Sequence, residues 1–291
     1  GEDKMALKNL LVHLDLAEGC ERRLQAATDM ASRHAARLTG LFVKDQSVAQ
    51  INRAKAAELG LSPARELAMI DRMFDDLAES GAEKTRERFE KAAAAAGVHA
   101  EWRCEAGRAD EIVPRHARYA DLCIIGQWKP EMEELPYLPK LVEQALFLSG
   151  RPVLIVPSAA GPTQLGRHVL VGWNASRGSA RAVNDAMALL VAADHVTVVV
   201  VDPQQGDDAH GEDPGTDIGH YLALHGAKVT TTSIASHARG IGQTIVEHAA
   251  KIGADMVVTG CYGHSRWREF ILGGTTRTLL RQSSIPVMMS Y

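Results

Sequence analysis

The stretch of this chain best suited to chemistry is a glycine-rich run near its C-terminus. Residues 260–276 read Gly-Cys-Tyr-Gly-His-Ser-Arg-Trp-Arg-Glu-Phe-Ile-Leu-Gly-Gly-Thr-Thr. They follow an apolar segment typical of a strand and precede a predicted helix at about 275–282. Glycine lets the backbone approach an anion closely, and the free N–H groups at a helix start favour phosphate. Thr275 and Thr276 add hydroxyl donors, so the run predicts a phosphate-binding loop.

Polar residues that could complete such a site end two other predicted strands. Trp173 and Asn174 follow one strand, Ser176 opens the next helix, and Asp202 ends the following strand. Ordinary helix capping explains Asn174 and Ser176 equally well. Asp202 could orient a bound base or ribose, or simply begin a turn with Pro203.

Within the glycine-rich run, His264 and Arg266 could meet phosphate oxygens or point to solvent. Cys261 is either a redox-sensitive thiol or a small buried residue, and burial is the commoner state. Trp267 and Phe270 are spaced like a lid. The 12 histidines form no H-x-x-x-H or H-E-x-x-H pair, so no metal centre is predicted. No G-x-S-x-G elbow or catalytic Cys/His signature is present either.

The chain is internally repeated. Residues 120–126 resemble residues 254–260, and residues 151–156 resemble residues 285–289, both at an offset of 134 positions. Nearer the N-terminus, residues 11–15 correspond to 170–174 at an offset of 159, so the first half holds roughly 25 extra residues within 47–96. That insert predicts one or two helices ending before Gly97.

Each half has the pattern of alternating strands and helices. The run Val196–Val201 is typical of a strand buried on both faces of a parallel sheet. We therefore predict an α/β chain of two tandem doubly wound domains, each with a five-stranded parallel sheet, at residues 1–160 and 161–291. The predicted strands lie near 9–15, 38–44, 99–105, 121–126 and 152–157, then near 168–174, 195–202, 228–235, 255–260 and 286–290.

The spacing G-x2-G-x9-G, with Gly260, Gly263 and Gly273 in the glycine places, resembles the ATP-binding motif of the universal stress protein family. The strand-ending Asp15 and Asn174 and the closing Pro-Val strands extend the resemblance through both halves. It implies the adenine-nucleotide α-hydrolase-like fold, with ATP, ADP or AMP as ligand and Mg²⁺ as its companion. The nucleotide-binding residues are then expected to be Trp173, Asn174, Ser176, Asp202, Gly260, Cys261, Gly263, His264, Arg266, Gly273, Gly274, Thr275 and Thr276.

This sequence departs from the family pattern in both halves. Gly274 stands where many members have Ser or Thr, and Asn174 replaces an Asp, which removes the charge that would hold magnesium. In the first half, the 134-residue offset places Lys129 where Gly263 stands and Pro139 where Gly273 stands. Proline fixes φ and removes a donor, so the first half is expected to lack the ATP loop and its ligand is unknown.

Composition narrows the function further. A net charge of −4 without a basic stripe argues against nucleic-acid binding, and no apolar run is long enough to span a membrane. Four widely spaced cysteines fit reduced thiols in a cytoplasm. We expect a cytoplasmic stress-response protein that senses an adenine nucleotide. The alternatives are a nucleotide hydrolase with slow ATPase activity and a nucleotide-free interaction protein.

The resemblance also predicts how the halves meet. The family usually dimerises through its last strand, and here residues 152–156 and 286–290 could make that contact within one molecule. Two chains could then associate further as a homodimer.

Overall fold

The computed structural model describes residues 6–45, 64–127, 141–159, 164–203, 215–261 and 273–291, with the side chains of 64–71 and 74 left aside. Strand and helix alternate along the first half and again along the second. In the first half the elements are β1 (Asn9–Leu14), α1 (Cys20–Arg33), β2 (Arg37–Asp45), α2 (Ala64–Ala95), β3 (Ala100–Gly107), α3 (Ala109–Ala117), β4 (Leu122–Gly126), α4 (Leu141–Leu148) and β5 (Val153–Val156). In the second half they are β6 (His168–Gly172), α5 (Arg177–Ala192), β7 (His195–Val201), α6 (Thr216–Leu224), β8 (Val229–Ile234), a 3-10 turn (His237–Arg239), α7 (Ile241–Lys251), β9 (Met256–Gly260), α8 (Gly274–Gln282) and β10 (Val287–Ser290).

The ten strands form one continuous sheet in the order β3-β2-β1-β4-β5-β10-β9-β6-β7-β8. All neighbours within a half are parallel, as the doubly wound prediction requires. The halves meet at β5 and β10, which pair antiparallel with Leu154 opposite Met288. The predicted contact between residues 152–156 and 286–290 is therefore confirmed. The two five-stranded sheets expected from sequence are joined into one.

Helices cover both faces of the sheet and enclose two apolar layers. Helices α1, α2, α5 and α6 contribute to one layer, and α3, α4, α7 and α8 contribute to the other. Strand side chains alternate between the layers: on β7, Val198 faces the first and Val199 the second. Both layers include residues from each half of the chain, so burial of apolar surface stabilises the halves together.

The described part of the helical insert is helix α2 (Ala64–Ala95). Its C-terminal part packs on the sheet through Ala82, Phe89 and Ala93. Phe89 lies so close to Gly40 of β2 that a Cβ at Gly40 would overlap its ring. Residues 47–63 of the predicted insert lie outside the described part of the chain.

In each half, an Asp directly before the fourth strand accepts hydrogen bonds from the backbone at the start of the first strand. Asp121 accepts hydrogen bonds from the backbone N–H groups of Lys8 and Asn9 at 2.8 and 2.9 Å. At the position 134 residues later, Asp255 accepts from the N–H groups of Gly166, Arg167 and His168. The predicted domain boundary near 160 falls on residues that are not described. Among the described helices, none is both long and apolar enough to cross a membrane.

Candidate functional site

Strand β6 lies at the point where the connections of the second half change direction. It pairs with β7 on one side and with β9 on the other, and Gly172 at its end lies opposite Thr259 of β9. Because β6 and β9 are parallel, the chain leaves both strands at the same edge of the sheet. Doubly wound sheets bind ligands at such a switch point. We call the space between the carboxyl ends of β6 and β9 the second-half crevice.

The loop after β6 is held by side chains that bond to their own backbone. Asn174 accepts a hydrogen bond from the N–H of Ser176 at 3.2 Å, and Ser176 caps helix α5 by accepting from the N–H of Ser179 at 3.2 Å. Ala175 between them has a φ of +54°. The capping interpretation thus describes the protein, while the exposed Asn174 keeps its amide N–H donors beside the crevice. Trp173 is half-buried against the apolar layer.

Gly260 brings the end of β9 against the first turn of helix α5. A Cβ at this position would overlap the backbone of Gly178. Gly178 in turn lies close to Cys261, because its own Cβ would come within 3.1 Å of the Cys261 carbonyl oxygen. Gly178 was not among the predicted site residues. The internal repeat could have indicated Gly178, because the corresponding residue of the first half, 159 positions earlier, is also a glycine, Gly19.

No side chain in the described part of the chain caps the start of helix α8. The first helical hydrogen bond runs from Arg277 N–H to Gly273 O, so the N–H groups of Gly274, Thr275 and Thr276 precede the ladder. Gly273 has ordinary angles, φ −60° and ψ 153°. No atom of the described residues would lie within 4 Å of a Cβ at Gly273 or Gly274. Neither the local backbone nor the described neighbours therefore require glycine at 273.

Cys261 is held inside the protein, next to β10. Its backbone N–H donates to Ser290 O at 3.0 Å, and its thiol donates to the same oxygen at 3.1 Å. Only 2% of the residue is exposed. Burial raises the pKa of the Cys261 thiol to about 12. The thiol is therefore protonated at neutral pH, which favours the small-apolar interpretation over the redox one.

Asp202, directly after β7, is hydrogen-bonded to Ser236, which follows β8. Its carboxylate accepts hydrogen bonds from the backbone N–H of Ser236 at 2.8 Å and from the Ser236 hydroxyl. These hydrogen bonds lower the pKa of Asp202. Its φ of +49° lies in the left-handed region, at a bend of the chain directly after β7. The predicted residues Gly263, His264, Arg266, Trp267 and Phe270 lie outside the described part of the chain.

The first half has a corresponding crevice between the carboxyl ends of β1 and β4, the first-half crevice. Arg23 of helix α1 extends into it: its Nε donates to His13 O at 2.6 Å, and its Nη2 lies 2.7 Å from Asp15 Oδ1. A Cβ at Gly126 would overlap Arg23 Nη1. Sequence reasoning missed Arg23, because it attributed the loss of the loop to Lys129 and Pro139, which lie outside the described residues.

Burial and neighbouring charges shift the pKa values of His13 and Asp15 in the first-half crevice. Burial lowers the pKa of His13 to about 4, against the opposing charge of Asp15, so His13 is neutral at pH 7. Burial alone would raise the pKa of Asp15, but Arg23 and His13 hold it below its ordinary value. Among the described residues, no group of three or more His, Cys, Asp or Glu is arranged to hold a metal ion.

The architecture places the chain among the doubly wound α/β proteins with a ligand crevice at the carboxyl ends of their strands. Residues 166–290 match the model of the Universal stress protein family. The second half is therefore a domain of that family.

Two curated stress proteins share shorter stretches with the chain. One is the universal stress protein Slr1230 of Synechocystis, 34% identical over 67 residues, which are 23% of this chain and 22% of that protein. The other is the stress response protein NhaX of Bacillus subtilis, 40% identical over 47 residues, which are 16% of this chain and 28% of that protein. The matched stretches thus span less than a third of either relative.

A solved structure matches the whole chain. The crystal structure of a universal stress protein from Archaeoglobus fulgidus aligns with a TM-score of 0.71, covering 99% of this chain and 98% of that one at 19% sequence identity. At that identity the likeness shows the fold alone. The likeness includes both halves, so that protein has the same overall arrangement.

Proposed function

We propose that this chain is a stress-response protein that binds ATP, or a related adenine nucleotide, in its second-half crevice as a sensory or regulatory ligand. The observation that carries the proposal is the start of helix α8. Three N–H groups precede its first hydrogen bond, no side chain of the described residues caps it, and Gly273 and Gly274 are exposed. A helix start of this kind favours phosphate through its N–H groups and its dipole.

The glycines at 273 and 274 support a ligand because nothing else described explains them. Gly260 and Gly178 are needed for the approach of β9 to helix α5, since side chains there would overlap backbone. Gly273 has ordinary backbone angles and open space around it among the described residues. Close approach of a phosphate to the backbone is a physical reason for glycine at such a position.

The nucleoside end of the ligand fits the loop after β6. Asn174 is exposed there and can donate to the base or ribose, while Trp173 contributes partly buried apolar surface. Asn174 is neutral, so we propose that Mg²⁺ enters with the phosphates of ATP and is not held by that side chain. Asp202, Gly263, His264 and Arg266 stay predictions. All four cysteines are free thiols, which supports a cytoplasmic location.

Two substitutions of Gly273 separate phosphate binding from helix capping. Asn and Asp are nearly isosteric and both are good N-caps, so Gly273→Asn and Gly273→Asp should each keep or slightly raise the free energy of unfolding. Only Asp places a negative charge where the phosphates are proposed to lie. Calorimetric titration with ATP should show binding to the wild type and to Gly273→Asn, and at least a roughly tenfold loss for Gly273→Asp, the equivalent of about 1.4 kcal/mol.

The matched pair controls for stability, because both variants are expected to unfold at or above the wild-type midpoint in urea. Equal ATP affinity in the two variants would mean that no phosphate lies at the start of α8. Absence of binding heat in the wild type, together with no adenine nucleotide released on denaturing the purified protein, would leave the nucleotide-free interaction protein as the better account.

A further inference from the structure

We propose that Arg23 fills the first-half crevice and thereby confines the nucleotide to the second half of the chain. This inference rests on the proposed function, because it concerns which of two corresponding crevices accepts the same ligand. It identifies a residue that determines where binding occurs, separate from the glycine-rich run itself.

The side chain of Arg23 is almost completely enclosed. Only 3% of it is exposed, although arginine is among the residues least often buried. Its Nε is fixed by the carbonyl of His13 at 2.6 Å, its Nη2 by Asp15 at 2.7 Å, and its Nη1 lies against Gly126. The guanidinium therefore occupies the space between the ends of β1 and β4.

The turn after the first strand makes the same backbone contact in both halves, whereas the helix position of Arg23 carries a different residue in the second half. Asp15 accepts from the N–H of Ala17 at 3.1 Å, as Asn174 accepts from the N–H of Ser176 at 3.2 Å. The position 159 residues after Arg23 is Ala182, a buried residue whose side chain ends at Cβ. The second-half crevice consequently holds no long side chain from this position of its helix.

Arg23 does not make the first-half crevice an anion site, because its charge is already compensated. Asp15 is paired with it, and an arriving phosphate would have to displace that carboxylate and be repelled by it. Removing one partner of a buried pair is strongly unfavourable. A nucleotide is therefore excluded from the first-half crevice both by the bulk of the Arg23 guanidinium and by the negative charge of Asp15.

The test is to give the first half the two residues that the second half has. The double variant Asp15→Asn/Arg23→Ala reproduces the Asn174 and Ala182 pair and leaves no unpaired charge. The probe is photoreactive 2-azidoadenosine, which lacks phosphates and so does not depend on a phosphate loop. After irradiation and proteolysis, wild-type protein should carry label only in second-half peptides, and the double variant should carry it in peptides of both halves.

Asp15→Asn alone is the matched control, since it keeps the Arg23 guanidinium in the crevice and leaves an amide oxygen at position 15 that can accept from it; first-half peptides should stay unlabelled. The reciprocal variant Asn174→Asp/Ala182→Arg should lose the second-half label. Circular dichroism confirms that each variant is folded.

Label on first-half peptides of the wild type or of Asp15→Asn would overturn the inference. So would a folded double variant without first-half label, or a reciprocal variant that is still labelled in the second half. If the proposed function is wrong, the wild type carries no second-half label. A gain of first-half label in the double variant then still tests the role of Arg23.

Discussion

At the scale of single residues, the reactivity of a side chain depends on its burial and hydrogen bonds, which cannot be read from the residue type alone. Cys261 stands directly in the glycine-rich run, where exposure would make it reactive, yet it is buried and hydrogen-bonded to Ser290. The sequence could supply the two alternatives for this thiol but not choose between them. The choice depends on β10 lying beside β9, which is a contact between distant parts of the chain.

Thiol modification of the native protein should follow exposure. Cys104 is exposed on β3, whereas Cys123 and Cys261 are buried and burial raises the pKa of both thiols to about 12. Brief treatment with iodoacetamide at pH 8, followed by mass spectrometry, should modify Cys104 and leave Cys123 and Cys261 intact. Rapid modification of Cys261 in the folded protein would restore the redox interpretation.

His13 should make stability depend on pH in a defined window. Its folded pKa of about 4 lies below the ordinary 6.5, so between these values the unfolded chain binds a proton that the folded protein does not. Stability from this group is therefore complete above pH 6.5 and falls as the pH drops toward 4, by roughly 3 kcal/mol in all. Urea unfolding of wild type and His13→Gln across this range should show a shallower pH dependence for the variant. Parallel pH profiles would contradict the burial of a neutral His13.

At the scale of elements, local sequence patterns were sufficient to predict where the strands lie. All ten predicted strands lie within one or two residues of their observed bounds. The eight inner strands are nearly continuous in buried residues, as is typical of parallel strands covered on both faces, whereas the edge strands β3 and β8 are partly exposed. The glycine-rich run is less uniform than its sequence suggests. Gly260 is required by helix α5, whereas Gly273 is not required by any described contact, and this distinction needs the three-dimensional approach of Gly178.

Alanine substitution should separate these two kinds of glycine. Gly260→Ala introduces a methyl group that overlaps the backbone of helix α5, so the free energy of unfolding should fall by about 3 kcal/mol. Gly273→Ala has space and suitable angles, and its effect on stability should stay within about 1 kcal/mol. Urea unfolding of both variants provides the comparison. Similar losses of stability in the two would refute the assignment.

At the scale of the whole molecule, the continuous sheet makes the two halves one structural unit. Val153, Leu154, Met288 and Met289 at the junction of β5 and β10 are all buried. The resemblance to a family that pairs through its last strand predicted this junction, and composition alone did not. The predicted homodimer stays a prediction; the outermost strands of the sheet are β3 and β8.

The halves should consequently unfold together. Cys123 on β4 and Cys261 after β9 report on the two halves within the same molecule, because each becomes modifiable only when its half opens. Pulsed alkylation at increasing urea should give the same midpoint for both thiols. A urea concentration at which one thiol is fully modified and the other protected would show that the junction does not couple the halves.

The most direct measurement of the central claim is amide hydrogen exchange with and without ATP. If the nucleotide lies in the second-half crevice, ATP should slow exchange in peptides that contain Trp173–Gly178 and Gly273–Thr276. Exchange in the peptide that contains Asp15–Arg23 should not change. Protection of the first-half peptide, or no protection at the start of helix α8, would contradict the account.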